Sequence, residues 1–239
     1  MAVRRIDIDG TTLRVIDDDG VVVARGVPYA RADRFAAPEP VAVGLEEIDA
    51  TERGPACPQL PSRLRSVTGA VVDDLAVSEQ CQVLSVTAPA DAESLPVMVW
   101  FHGGAYVSGG GESPKYDPQA LAAEGRVVVV TVTYRLGIFG YLNIHDPETQ
   151  NLGLRDQICA LQWVRDNIAA FGGDPGRVTV FGQSAGGDSV LSLMLCPETA
   201  GLFTRAILQS APLGLPRERS SMAAAMRTAA LASLEGVPA

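Results

Sequence analysis

Arg177-Val178-Thr179-Val180-Phe181-Gly182-Gln183-Ser184-Ala185-Gly186-Gly187 joins a short β-branched and aromatic run to a G-x-S-x-G turn. Beyond it Val190, Leu191, Leu193, Met194 and Leu195 form an apolar helical stretch. Ser184 is therefore expected where a strand turns into a helix. Such a turn holds its central residue in a strained backbone conformation with almost no room beside it, so glycine is needed two residues away on each side. Gly182 and Gly186 meet that need. The Ser184 hydroxyl should project above the carboxyl end of the strand, with the N–H of Ala185, opening the helix, facing any oxyanion formed there.

Working outward, Val97-Met98-Val99-Trp100 has a buried-strand pattern and leads into Phe101-His102-Gly103-Gly104. A glycine pair again lies at a strand's carboxyl end, where it exposes backbone N–H groups. Gly103, Gly104 and Ala185 would together offer three donors to a tetrahedral intermediate, each stabilising the transition state by roughly 3 kcal/mol. The segment Gly109-Gly110-Gly111 lacks the Gly-Lys-Ser/Thr ending of a phosphate loop and reads as loop flexibility.

The rest of the chain supplies a sheet for these two turns. Antiparallel strands are expected near Ile6 to Ile8, Thr12 to Ile16 and Val21 to Val27. Strands at Val83 to Thr87, Val97 to Phe101, Val127 to Thr133, Val178 to Phe181 and Ala206 to Gln209 then alternate with helical segments. That alternation is the signature of a mainly parallel sheet covered on both faces by helices, an α/β fold. A helix is expected from about Leu154 to Phe171, ended by Gly172-Gly173, and another around Met222 to Leu234, stopped by Gly236 and Pro238. Pro55 to Ala70 reads as a loop, and residues 1–239 as one domain.

Several blocks resemble the type B carboxylesterases, the cholinesterase-like and bacterial para-nitrobenzyl-type esterases. Gly26-Val27-Pro28-Tyr29-Ala30 and Arg34-Phe35 resemble the family's amino-terminal signature, and Ser78-Glu79-Gln80-Cys81 its Ser-Glu-Asp-Cys-Leu motif. The run Asn151-Leu152-Gly153-Leu154-Arg155-Asp156-Gln157, then Phe171-Gly172-Gly173-Asp174-Pro175 and Phe181 to Gly187, completes the likeness. It spans residue 26 to Ser210 in the family's order. The resemblance implies an α/β-hydrolase fold, Ser184 as the nucleophile of a carboxylic ester hydrolase, Gly103, Gly104 and Ala185 as its oxyanion hole, and small-molecule esters as substrates without cofactor or metal. It also implies that Arg34 and Glu79 pair, and that Cys57 and Cys81 occupy positions that form a disulfide in secreted relatives. Here free thiols are the expectation. Cys159 and Cys196 read as small core residues on helical faces. Three positions depart from the family pattern. Gln80 and Gln82 replace an acidic and an apolar residue beside Cys81, which puts one family hydrogen bond in question. Asp188 replaces a small residue, and one helical turn beyond Ser184 it is expected to be solvated or capped.

In the family the nucleophile is followed by an acid and then a histidine. After Ser184 this chain has Asp188, Glu198, Glu218 and Glu235 but no histidine. His102 belongs to the glycine loop and His145 to the loop Asn143-Ile144-His145-Asp146-Pro147, so neither is expected to act as the base. The sequence therefore reads as the amino-terminal portion of an esterase, lacking the last strands, with the acid and base on a complementing carboxyl-terminal half. A non-catalytic cholinesterase-like interaction module and an inactive fragment are the alternatives.

With 239 residues, 47% of them hydrophobic, the chain can bury a sizeable core. A formal charge of -9 and a pI near 4.7 argue against nucleic acid or an anionic membrane as partner. No run of about 18 apolar residues suggests a membrane span, and no signal peptide is visible, so a cytoplasmic location is expected. No Cys/His cluster has metal-ligand spacing.

Overall fold

Long β-branched runs in the middle of the chain become the middle of the sheet. The structure, a computed structural model, describes residues 2–41, 44, 47–142, 151–214 and 220–234. Its strands are β1 (Ala2–Ile8), β2 (Thr11–Asp18), β3 (Val21–Pro28), β4 (Ala30–Arg31), β5 (Glu39–Pro40), β6 (Glu47–Asp49), β7 (Val83–Pro89), β8 (Leu95–Phe101), β9 (Val128–Val132), β10 (Gly173–Gln183) and β11 (Arg205–Gln209). Among the described residues, one sheet runs in the order β1-β2-β3-β7-β9-β8-β10-β11, with β6 beside β2, while β4 and β5 pair separately. β9, β8, β10 and β11 are mutually parallel. β1, β2 and β3 form an antiparallel meander joined to that block by β7, which is antiparallel to both its neighbours.

β7 and β9 are buried along their whole length, as strands covered on both faces must be. The helices are α1 (Arg65–Thr68), α2 (Gln119–Gly125), α3 (Gly137–Tyr141), α4 (Leu152–Asn167), α5 (Ala185–Leu195) and α6 (Ser220–Leu234). α2 packs on β3, β7 and β9, whereas α4 lies on β10, and α5 on β8, β10 and β11. Val99, Phe101, Val130, Val180, Leu161, Val164, Val190 and Leu193 are buried within one apolar cluster. Each such side chain stabilises the fold by about 1.5–3 kcal/mol relative to exposure. The chain leaves β8 toward β9 on one side and later returns to β10 on the other. Crevices at the carboxyl ends of strands flanking such a reversal are where open α/β sheets bind ligands.

The expected strands are all present, and several run longer. β1 extends back through Val3, Arg4 and Arg5, whose backbones pair with β2 whatever their side chains. β10 begins at Gly173, five residues early, and shifts register between Gly173 and Val178. The long helix begins at Leu152 and tightens into a 3-10 turn over Ile168–Phe171, ended by Gly172 at φ 72°. The stretch from Pro55 to Ala70 is less of a plain loop than its composition suggests. It contains the single turn α1, held by an Arg65–Asp73 ion pair, and a bridge from Ala56 to Val77. Gly236, Pro238 and the loop 143–147 that carries His145 lie outside the described residues.

The Arg34–Glu79 pair is present, Arg34 Nε donating to both carboxylate oxygens at 3.0 and 2.9 Å. Gln80 keeps a role despite its lost charge: its amide donates to Ala32 O at 2.5 Å and accepts from Ala32 N at 3.4 Å. Cys57 and Cys81 are neighbouring buried thiols, and the hydrogen bond between them, together with burial, pushes the Cys81 thiol well up. Cys159 is half-buried against the core. Cys196 is half-buried against it too, and also ends α5, with its Sγ 3.3 Å from Glu198 Oε2.

A second ion pair is fully enclosed. Arg135 Nε and Nη2 donate to Asp156 Oδ2 and Oδ1 at 2.9 and 2.7 Å, and the Arg135 backbone N–H adds a third bond at 3.0 Å. Both side chains are almost wholly buried. Removing one partner leaves an uncompensated buried charge. Asp156→Ala should therefore cost about 3–5 kcal/mol in urea unfolding, whereas Asp166→Ala, which breaks the exposed Arg165–Asp166 pair, should leave the midpoint in place. Equal effects would contradict the burial argument.

β11 ends the sheet, and its far edge has no strand partner among the described residues. Ile207 on it, with Met194 and Leu195 at the end of α5, is exposed. An apolar parallel edge of this kind invites association. At micromolar concentration the chain should elute in size exclusion as a species larger than its 25.1 kDa. A monomeric peak with a single cooperative melt would refute this.

Candidate active site

Gly182 and Gly186 bring the β10–α5 turn against β8. A methyl on Gly186 would overlap the Phe101 carbonyl, and one on Gly182 would lie 2.5 Å from Gly186 C and 2.8 Å from Phe101 O. Only hydrogen fits at either position. Between them Ser184 adopts φ 56°, ψ -119°, a region that costs a non-glycine residue on the order of 1–3 kcal/mol. Two backbone bonds hold it there. Ser184 N donates to Gln209 O, at the end of β11, at 2.9 Å, and Asp188 N donates to Ser184 O at 3.0 Å. The serine is half-buried, and among the described residues nothing hydrogen-bonds to its hydroxyl.

The glycine loop after β8 lies beside this turn. A methyl on Gly103 would sit 3.3 Å from Ser184 Cβ and 2.6 Å from Gln183 O. Gly104 has φ 121° and could carry a side chain only by driving it into Ser108. Among the described residues, no hydrogen bond uses the N–H of Gly103, Gly104 or Ala185. The structure therefore brings Gly103 against Ser184 and its neighbour Ala185, with Gly104 next along the loop.

His102 does not join them. Its ring is fully buried and stacked on Tyr134, centroids 4.4 Å apart. Nδ1 is 2.8 Å from Gly103 O and must carry the proton, because a carbonyl can only accept. Burial lowers its pKa to about 4, with Nε2 left unpartnered among the described residues. The ring is thus held neutral, with its Nδ1–H spent on the loop backbone.

Asp188 is not the solvated residue its sequence position suggests. It is half-buried, and its Oδ2 accepts from Tyr106 Oη at 2.8 Å. Gln59 Nε2 donates to Gly109 O at 2.8 Å, and Gly109 N returns a bond to Gln59 Oε1 at 2.7 Å. That double bond steadies the three-glycine segment read as flexible. Glu112, buried behind it, accepts from Ser85 Oγ at 2.7 Å and from the N–H groups of Gly26 and Gly54, both at 3.3 Å. Burial still leaves its carboxyl above the usual range. Tyr106, Gln59 and Glu112 carry no sequence signal, since each partner lies far off in the chain. A cavity of about 600 Å³ around Pro28, Asp33, Ala36 and Gln80 is lined by neither Ser184 nor the glycine loop. Among the described residues no group of His, Cys, Asp and Glu is arranged to hold a metal, and no helix is long and apolar enough to cross a membrane.

Comparison with known proteins adds the family context. Residues 3–238 match the model of the carboxylesterase family. The chain is 45% identical over 238 residues to the para-nitrobenzyl esterase of Bacillus subtilis, covering 96% of this chain and 46% of that one. It is 52% identical over 198 residues to a probable N-octanoylanthranilate hydrolase of Rhodococcus erythropolis, covering 82% and 43%. Among solved structures, a thermophilic para-nitrobenzyl esterase superposes with a TM-score of 0.85 at 43% identity, over 97% of this chain and 49% of its own. The chain thus spans about half the length of these relatives.

The burial of His102 can be tested by titration. Its folded-state pKa lies below the ordinary 6.5, so the stability gained from a neutral ring is complete above about pH 6.5 and is lost as pH falls toward 4. In proton NMR the His102 ring signals should stay in the neutral position from pH 8 to 5. A midpoint near 6.5 would mean an open, accessible ring.

Proposed function

This chain belongs to the carboxylesterase family and has its α/β-hydrolase fold, and from that premise we propose that it is the part of a serine carboxylic ester hydrolase that carries the nucleophile and the oxyanion hole. The observation that supports this most is the strained Ser184 backbone, with Gly103 pressed against the serine. An incidental serine would have no reason to be held in that conformation.

In the proposed reaction Ser184 Oγ attacks the ester carbonyl. The carbonyl oxygen becomes an anion that accepts from the N–H groups of Gly103, Gly104 and Ala185. Collapse expels the alcohol and leaves an acyl-serine, which water then cleaves to the free acid. A base must take the serine proton in the first half and serve again in the second. His102 is sealed off, so that base, with its orienting acid, is assigned to a carboxyl-terminal half. The docking face we propose for it is the open edge of β11, with Ile207, Met194 and Leu195. Small aryl or aliphatic esters are the proposed substrates, and neither cofactor nor metal is required.

Mixing this chain with a separately produced carboxyl-terminal half of the Bacillus subtilis para-nitrobenzyl esterase should give turnover of para-nitrophenyl acetate that neither part shows alone. Ser184→Ala should remove it, by about 10⁶-fold if the loss matches that of a serine protease stripped of its nucleophile. Sustained hydrolysis by the chain in isolation, abolished by Ser184→Ala, would sink the divided assignment.

A further inference from the structure

We propose that Tyr106 and Asp188 form a strut that holds the glycine loop in register with the nucleophile turn, which makes Tyr106 a positioning residue for the oxyanion hole. The inference rests on the assignment of Gly103, Gly104 and Ala185 as the anion donors.

After Gly104 at φ 121°, Ala105 and Tyr106 both adopt left-handed backbone, at φ 54° and 62°. Two successive non-glycine residues in that region are unfavourable, so the turn persists only where its surroundings hold it. Val107 N and Ser108 N close it by donating to Gly104 O, both at 3.1 Å. Gly137 N donates to Tyr106 O at 2.7 Å, and the Tyr106 ring lies 4.6 Å from that of Tyr141. These contacts secure the loop to itself and to α3, but they do not fix its distance from α5.

The phenol supplies that link. Tyr106 Oη donates to Asp188 Oδ2 at 2.8 Å, and Ser189 Oγ lies 3.5 Å from the same phenol oxygen. Gln157 Nε2, on α4, in turn donates to Ser189 Oγ at 3.1 Å. Asp188 belongs to the first turn of α5, and its N–H is bonded to Ser184 O. Its carboxylate therefore moves rigidly with Ser184 and Ala185. Tyr106 is likewise tied to Gly104 through the turn. A change in the Tyr106–Asp188 separation is thus a change in the spacing between the Gly103–Gly104 donors and the Ala185 donor. Anion stabilisation is sensitive to that spacing, because the donors must already be aimed at one oxygen when charge develops. The acceptor is a carboxylate, and charge-assisted hydrogen bonds are roughly twice as strong as neutral ones.

Hydrogen–deuterium exchange on this chain tests the strut directly. Tyr106→Phe and Asp188→Ala should each speed exchange of the bonded turn amides, Val107 and Ser108, by about tenfold, and the double variant should go no further. The β1–β2 hairpin should be unaffected. Asp188→Asn keeps the side-chain shape and covers the case in which Asp188→Ala fails to fold, with the same amides shifting in the same direction. In the complemented enzyme, each variant should lower kcat for para-nitrophenyl acetate by about tenfold with KM within about twofold, a split that general destabilisation would not give. Unchanged exchange at Val107 and Ser108, or effects that multiply in the double variant, would overturn the strut. Absence of any turnover with Ser184 intact would count against the proposed function, and the exchange result would still decide this inference.

Discussion

The Phe101 carbonyl occupies the place where a methyl on Gly186 would have to go, and the Gly182 hydrogen faces the same oxygen. β8 and the β10–α5 turn can approach this closely only because both positions lack a side chain. That contact is what presses the glycine loop, which continues directly from Phe101, against Ser184. The strained serine backbone follows from it. Once Gly182 and Gly186 are wedged on β8, the residue between them must reverse the chain in a single step, and Gln209 O and Asp188 N fix the outcome. The strain is therefore maintained by sheet packing rather than by the serine's own preferences.

A second layer of constraint is polar and mostly out of sight. Glu112 gathers Ser85, Gly26 and Gly54, Gln59 clamps Gly109, and Asp156 holds Arg135, whose Nη1 reaches on to Ala36 O at 2.7 Å. Each ties a loop at the carboxyl side of the sheet to a segment distant in sequence. Burying such groups is costly unless they are fully partnered, so they add little net stability. What they supply is register: a loop held by two or three directional bonds cannot slide, whereas one held only by apolar contact can. Arg135 and Asp156 carry this furthest, since Leu136 N also donates to the buried Cys57 Sγ at 3.3 Å, linking the strand-end after β9 to the segment that leads to Gln59.

These two layers were unequally legible in the sequence. Close approaches leave a local trace, because only glycine tolerates them, and Gly182 and Gly186 could be picked out for that reason, Gly103 and Gly104 instead for the N–H groups a glycine pair exposes at a strand end. Strand centres were equally plain wherever burial on both faces imposed runs such as Val127 to Val132. Boundaries were less so. β1 reaches back through Arg4 and Arg5 because ladder bonds are indifferent to side chains. α2 was not singled out because it is a short helix whose cap residues, Pro118 and Arg126, are not the types that usually mark helix ends. The polar layer left no trace, since Gln59 and Gly109 lie 50 residues apart and Tyr106 and Asp188 lie 82. Asp188 shows the consequence: an acid on the first turn of a helix reads as solvated until a tyrosine from another loop is seen to reach it.

The same geometry bears on why the proposed chemistry divides as it does. The proposed nucleophile and anion donors all follow the ends of β8 and β10, which are adjacent in the sheet, so a chain that builds those two strands builds the proposed cradle. In that proposal the general base approaches Ser184 from outside, because the buried His102 and Tyr134 rings stack on each other behind the glycine loop. Ser184 N is bonded to the last residue of β11, which puts the nucleophile close to the strand whose outer edge is open among the described residues. Polypeptide that added strands to that edge would bring its own strand ends alongside the serine. In the proposed division the exposed edge and the outside base go together: the edge without a strand neighbour among the described residues is the one beside Ser184.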